Sequence, residues 1–388
     1  MLRFAEYDKK QTNMKLFNVY PLFDITPVKA QDVYVYDENN IKYLDLYGGH
    51  AVISIGHSHP EYVKNISEQV SKLGFYSNSI QNPLQKELAD KLGKLSGCED
   101  YQLFLCNSGA EANENALKLA SFHTDKRKVI AFKNSFHGRT SAAVAATDNP
   151  KIVAPLNAQQ EVEFMELGDL EGVKSVLERG DVCAVIIETI QGIGGLDEVT
   201  TGFYQGVNKL CKHYDALLIA DEIQCGFGRT ADFFAFQKHG VTPDIISMAK
   251  GMGNGFPIGG ILIHPDIKSS FGLLGTTFGG NHLACAASIT VLDVLKKENL
   301  MQHAKEVSNY LIKKAQEIPQ IKIIKGRGLM LGLEFDFPIT DLRKSLIQNQ
   351  HIFTGSAKNP NLLRILPPLT IQKEHVDVFF DALKQELN

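Results

Sequence analysis

The chain predicts a mainly parallel α/β sheet with helices on both faces, joined to a smaller α+β domain built from both termini. Three observations predict it. Short, mostly unbroken apolar runs recur at Val129–Phe132, Val182–Ile187, Leu217–Ala220, Ile245–Met248 and Gly260–Ile263, as expected of strands covered on both faces. Helical segments, including Leu170–Glu178 and Gly202–His213, lie between most of these runs, and such alternation favours parallel strands. After Gly279–Asn281 the pattern changes to long helices and paired strands. The predicted division is residues 1–66 as an N-terminal arm and part of the small domain, 67–290 as the large domain, and 291–388 as the C-terminal small domain.

Taken in order, VYVYDENNIKYLDLYGG reads as a hairpin around Asp37–Asn40. HSHP, at His57–Pro60, has the look of a metal pair. With no further ligand at metal spacing it reads as a turn into the helix Glu61–Leu73, and no metal site is expected. Leu84–Leu95 is amphipathic and helical, and Gln102–Leu105 is a strand running into NSGAEANENALKLA. Helices are expected from near Leu283 to Lys297, over Met301–Glu317 and over Glu374–Leu387, with KIIKGRGLMLGLEF as paired strands between the last two. No repeat or low-complexity linker interrupts them.

Composition excludes several classes. With 388 residues, 44% hydrophobic and 22% charged, the chain is long enough for two cores. A formal charge of −4 offers no stripe for nucleic acid and no polybasic patch for a membrane. No apolar run approaches the ~20 residues of a membrane span. MLRFAEYDKKQTN lacks an apolar secretory core, so a cytoplasmic location is expected. Met14 offers a second start, which makes residues 1–13 an arm or an artefact of start choice. Six cysteines without regular spacing read as buried reduced thiols.

The chemistry centres on DIISMAKGMGNGFPIGG. Lys250 ends a buried strand just before a glycine-rich loop. An ammonium there is poorly solvated, its pKa falls, and free amine becomes available for a Schiff base. Alone, Lys250 is read as a snorkelling strand-end lysine. Asn107-Ser108-Gly109-Ala110-Glu111 links a strand to a helix, where the backbone N–H groups of Gly109 and Ala110 and the Ser108 hydroxyl suit a phosphate; the plain alternative is a serine cap. LLIADEIQCGFGRT puts Asp221 at the carboxyl end of an apolar strand, where an unpaired acid is costly and usually serves a site. A metal is disfavoured because no second ligand shares that strand. GMGNG resembles a dinucleotide loop only loosely. Phosphate turn, acid and lysine together match pyridoxal 5′-phosphate, which needs an anion cradle, a carboxylate on its ring nitrogen and a lysine for its aldehyde. Phe136 and Ile223 are placed to cover the two ring faces.

Seven motifs in order, NSGAEANENALKLA, FHGRT, ETIQGIGG, ADEIQCGFGRT, DIISMAKGMGNGFPIGG, TTFGGNHLACA and LRILPPL, resemble the class III (subgroup II) pyridoxal-phosphate aminotransferases, most closely the acetylornithine (N-acylornithine) aminotransferases. The resemblance spans about Pro21 to Leu369. It implies the fold of the fold type I pyridoxal-phosphate transferases and a cytoplasmic homodimer with active sites at the subunit interface. The implied reaction exchanges the δ-amino group of N-acetylornithine with 2-oxoglutarate in arginine biosynthesis.

The resemblance also implies roles. Ser108, Gly109 and Ala110 hold the phosphate, Thr277 reaches that phosphate in the neighbouring subunit, and Gln224 contacts the ring hydroxyl. Glu188 lies close to the cofactor and Asp221, while Lys250 carries the aldehyde and shuttles a proton. Arg139 binds the carboxylate far from the reacting amine, and Arg364 clamps the α-carboxylate of glutamate; a planar guanidinium suits both tasks. Isolated, the two arginines read as a surface ion-pair residue and a strand-end cation.

Two motifs depart from the family. ETIQGIGG has Ile193 where the family carries a glutamate that neutralises the glutamate-clamping arginine, and Thr189 in place of proline. His50, in GGHAV, stands where ornithine aminotransferases have a tyrosine for the free α-amino group, which speaks against unacylated ornithine. His50 is a candidate for the acyl chain or a packed loop histidine. Ile193 and His50 leave N-succinylornithine as a competing substrate. Ornithine or 4-aminobutyrate aminotransferase, glutamate-1-semialdehyde aminomutase, a catalytically silent pyridoxal-phosphate binder and a nucleotide-binding dehydrogenase are the remaining alternatives.

Overall fold

The computed structural model describes residues 16–387; the reading of residues 1–13 lies outside them. The described chain opens with antiparallel strands β1 (Pro27–Gln31), β2 (Tyr34–Asp37) and β3 (Lys42–Asp45). The β2–β3 turn is the expected one: the Asp37 carboxylate accepts from Asn39 and Ile41 N–H at 2.9 Å, and Asn40 takes the left-handed conformation.

The central sheet is built from β4 (Gln102–Cys106), β5 (Lys128–Phe132), β6 (Val162–Met165), β7 (Val182–Glu188), β8 (Leu217–Asp221), β9 (Ile245–Met248) and β10 (Gly259–Ile263). Their spatial order is β4-β10-β9-β8-β7-β5-β6. From β9 to β6 every pairing is parallel, as expected. One strand departs: β10 is antiparallel to both β9 and β4. The chain from Met248 to Gly259 is too short for the dozen or more residues of a parallel crossover, so it turns back instead.

Alternate residues of each strand enter different cores. Val185, Ile187, Leu218, Ala220, Ile246 and Met248 join one, with Phe203, Tyr204 and Val207 from helix Thr201–His213 and Val291 and Leu292 from helix His282–Lys297. Ala184, Ile186, Ile219, Ile245 and Ile261 join the other, under helix Gly109–Thr124. That helix presents Ala112, Ala116 and Ala120 to the sheet, and small side chains bring its backbone close. Burial at about 1.5–3 kcal/mol for each large aliphatic side chain explains why these strands read as continuous apolar runs.

The C-terminal part forms a third sheet from β11 (Ile323–Arg327), β12 (Met330–Glu334), β14 (Gly355–Ser356) and β15 (Leu362–Ile365), in the order β11-β12-β15-β14. Between them, β13 (Ile352–Phe353) runs parallel to β3 and completes the first sheet. All six cysteines are buried and unpaired. No helix among the described residues is long and apolar enough to cross a membrane.

Candidate active site

The carboxyl ends of the parallel strands open on one cavity of about 400 Å³, where ligands of open α/β sheets bind. Its wall includes Ser108, Gly109 and Ala110 after β4, Phe136 and Arg139 after β5, Glu188 at the end of β7, Asp221, Ile223 and Gln224 after β8, and Lys250 after β9. The sequence-predicted group is thus largely brought together. Three members are not on this wall: Thr277 is exposed on the surface, while Arg364 and His50 sit a layer away, linked to the wall by hydrogen bonds.

Lys250 follows β9 in a short 3-10 turn with φ +44°, an uncommon value for a residue with a Cβ and one that gathers at functional sites. The turn is pinned from outside. Asn254 Oδ1 accepts from Ser54 and Ile55 N–H at 2.8 and 3.0 Å, Ser54 Oγ donates to Gly251 O at 2.8 Å, and Tyr62 Oη donates to Gly253 O at 2.6 Å. Burial pushes the Lys250 ammonium pKa down, against Asp221 and Glu188, which pull it up. No ion-pair partner of Lys250 lies among the described residues.

Asp221 pairs with Glu188 in register between β8 and β7. Its Oδ2 accepts from His137 Nδ1 and Asn113 Nδ2, each at 2.7 Å, and Oδ1 accepts from Ile223 N–H at 3.1 Å. These donors hold the carboxylate in place and leave Oδ1 with spare acceptor capacity. Sequence reasoning missed Asn113 and His137; the signal available was a polar residue on the buried face of the helix and the histidine of FHGRT.

Glu188 accepts from Phe136 N–H (Oε1, 2.9 Å) and Gly192 N–H (Oε2, 2.8 Å), tying together the loops after β5 and β7. Burial raises its carboxyl to about 7, with Asp221 adding to the rise.

The residues fit pyridoxal phosphate on three observations. Ser108 caps helix Gly109–Thr124 by accepting from Glu111 N–H at 3.2 Å, which leaves its O–H free to donate beside the helix N-terminus. Cap and anion donor are therefore compatible roles for one hydroxyl. A Cβ on Gly109 would come within 2.8 Å of Ile223 Cγ2, so glycine keeps this end of the cavity open. Gln224 Oε1 is a buried acceptor without a partner among the described residues, suited to a ring hydroxyl.

The arginines differ. Arg139 is exposed on the cavity rim and has no ion-pair partner among the described residues. Arg364 is buried, and its Nε, Nη1 and Nη2 donate to Ser356 O (2.6 Å), Gly192 O (2.7 Å) and Tyr47 Oη (3.2 Å). All three acceptors are neutral, and Ile193 on the adjoining wall offers no charge. Burial lowers the Arg364 pKa. The Tyr47 hydroxyl meets His50 Nδ1 at 2.5 Å, and His50 O accepts from Gln224 Nε2 at 3.2 Å. His57 and His59 pair with Asp45 and Glu298.

The model of the family described as aminotransferase class-III matches residues 18–387. Acetylornithine aminotransferase of Bacillus subtilis is 40% identical over 96% of this chain and 97% of its own, and that of Aquifex aeolicus is 41% identical over 96% and 99%. The ornithine aminotransferase of Toxoplasma gondii superposes with a TM-score of 0.86 at 28% identity, covering 95% of this chain and 91% of that one. The same enzyme crystallised with oxidised glutathione, with pyridoxal phosphate in partial occupancy at its active site, gives 0.87 at 28% identity over 94% and 90%.

Proposed function

Since the chain belongs to the class-III aminotransferases, which depend on pyridoxal phosphate, we propose that it exchanges the δ-amino group of N-acetylornithine with 2-oxoglutarate in arginine biosynthesis. The products are N-acetylglutamate 5-semialdehyde and glutamate. The observation that carries this reading is the convergence of Lys250, Asp221 and the Ser108–Ala110 turn on one cavity with Arg139 at its rim.

Pyridoxal phosphate supplies the aldehyde that takes up the amino group and the electron-poor ring that stabilises charge on the substrate carbon. Ser108, Gly109 and Ala110 would hold its phosphate, and Gln224 would meet its ring hydroxyl. Asp221, fixed by His137 and Asn113, would keep the ring nitrogen protonated. Phe136 and Ile223 bound the ring space and exclude water. Lys250 Nζ, with a depressed pKa, is the base that takes the proton from substrate Cδ. Glu188 holds the loops that frame this space. Arg139 orients the carboxylate of N-acetylornithine, so the distant δ-amine reaches the reaction centre. Arg364 holds the α-carboxylate of glutamate, and His50 borders the acyl chain. Thr277 reaches the phosphate of a second copy, which makes the working unit a homodimer, and the setting is the cytoplasm.

One observation favours a second reading. A buried guanidinium with only neutral acceptors suits a donor that carries a second carboxylate, as N-succinylornithine does. Half-reactions of the holoenzyme with N-acetylornithine, N-succinylornithine, ornithine and 4-aminobutyrate separate the two. Preference for N-acetylornithine supports the first reading, and preference for N-succinylornithine replaces it with the second.

A further inference from the structure

The segment before the first long helix has a backbone that its composition does not require. Gly48, Gly49, His50 and Ala51 all have positive φ, from 54° to 68°. They form one left-handed turn closed by Ala51 N–H on Tyr47 O (3.0 Å) and Val52 N–H on Gly48 O (2.8 Å). His50 and Ala51 pay the steric cost of a Cβ in that region. Asp45 Oδ1 accepts from Tyr47 and Gly48 N–H at 3.0 and 2.8 Å, which fixes where the turn starts. The result is local: it brings the His50 ring back over Tyr47, with centroids 4.7 Å apart.

Tyr47 in turn lies under Arg364, whose guanidinium carbon is 5.7 Å from the phenol centroid. Gly355, opposite Arg364 in the β14–β15 register, makes this possible, because a Cβ there would collide with Tyr47 Cε2. A phenol has one proton. If Tyr47 Oη accepts from Arg364 Nη2, its own proton must go to His50 Nδ1, and the ring nitrogen there must be unprotonated. Burial and the nearby Arg364, Lys250 and Arg343 lower the His50 pKa, which favours the unprotonated ring nitrogen. Burial also keeps the Tyr47 phenol protonated.

A guanidinium has five N–H bonds. With Nε on Ser356 O, one Nη1–H on Gly192 O and one Nη2–H on Tyr47 Oη, one N–H remains on each terminal nitrogen. With the outer hydrogens of Nη1 and Nη2 engaged, the two left over form the terminal edge that grips a carboxylate bidentately. We infer that Tyr47 is a positioning residue for Arg364: its phenol accepts from the guanidinium, donates to His50 Nδ1, and so fixes the N–H pair left for the α-carboxylate of glutamate or 2-oxoglutarate. This rests on the reading of Arg364 as the residue that holds that carboxylate. It assigns Tyr47 to the oxoglutarate half-reaction through a neutral relay in which His50, beside its place at the acyl chain, is the acceptor; no carboxylate among the described residues holds the arginine.

The test uses holoenzyme carrying Tyr47→Phe, His50→Phe or both, with Arg364→Lys as reference. KM is measured for 2-oxoglutarate and N-acetylornithine, and glutarate, an unreactive dicarboxylate, is titrated by calorimetry. Tyr47→Phe is expected to raise the glutarate Kd and the 2-oxoglutarate KM about tenfold, the loss of one charge-assisted hydrogen bond. Its N-acetylornithine KM should stay within about twofold, with an unchanged melting temperature. The double variant should bind glutarate no more weakly than Tyr47→Phe alone, since both changes cut one chain. Equal losses for both substrates, no change for either, or additive effects in the double variant overturn the relay. If Arg364→Lys itself leaves glutarate binding intact, the reading of Arg364 fails instead.

Discussion

Asp221 and Glu222 are consecutive acids with opposite surroundings. Asp221 faces the cavity and is met by His137. Glu222 points the other way and has no cation partner among the described residues: Thr189 Oγ1, Ala235 N–H and Phe236 N–H donate to it at 3.3, 2.8 and 3.0 Å. Burial pushes its carboxyl up to about 7, with those donors opposing the rise. An acid raised in this way binds its proton more tightly in the folded chain. Its stabilisation is full below the unfolded value of 4.5 and is lost as pH rises through about 7. The loss amounts to roughly 3 kcal/mol. Urea unfolding of Glu222→Gln should therefore show a shallower decline between pH 5 and 8 than the parent, closing the gap between them as pH rises. Parallel curves would rule the assignment out. The sequence made Asp221 and Lys250 readable because each interrupts an apolar run with a charge. It left Asn113, His137 and Glu222 unread, because their partners lie far away in the chain or are backbone N–H groups.

At the scale of elements, the antiparallel strand β10 positions the phosphate turn. Gly259 faces the loop before helix Gly109–Thr124, and a Cβ there would lie 2.6 Å from Ser108 O and 3.0 Å from Met248 O. Both are backbone atoms, so neither can rotate away. Gly259→Ala should cost about 1–3 kcal/mol and weaken retention of pyridoxal phosphate, both read from unfolding and cofactor titration. Unchanged values for both would show that the loop yields freely. The pattern of apolar runs made β5, β7, β8, β9 and β10 legible to within a residue at their limits. Partly exposed β6 was not, since VEFM has neither a continuous run nor clean alternation. The left-handed turn at Gly48–Ala51 was equally hidden. A glycine pair announces a turn, but nothing local requires His50 and Ala51 to continue it.

For the whole molecule, Thr277, expected to reach the phosphate of a neighbouring subunit, lies on an exposed surface outside this chain's own cavity. Beside it the Phe278 ring lies tilted against Phe75, with centroids 5.3 Å apart and 59% and 42% of their surfaces open, and Tyr76 and Ile80, close in the chain to Phe75, are exposed as well. Exposed aromatics of this kind fit the proposed homodimer, in which a two-fold pairing of identical chains would cover such a patch on both at once. Sedimentation should give a particle of twice the 42.9 kDa chain, and Phe278→Glu should yield a monomer that loses pyridoxal phosphate. A fully active monomer contradicts the shared site.

The central claim is that Lys250, Asp221 and the arginines serve one amino-group exchange. Its most direct test is to add N-acetylornithine to the yellow holoenzyme and then 2-oxoglutarate, following the colour. The account predicts bleaching by the first and recovery with the second, and neither in Lys250→Ala. Bleaching that persists after 2-oxoglutarate, or that occurs without Lys250, contradicts it.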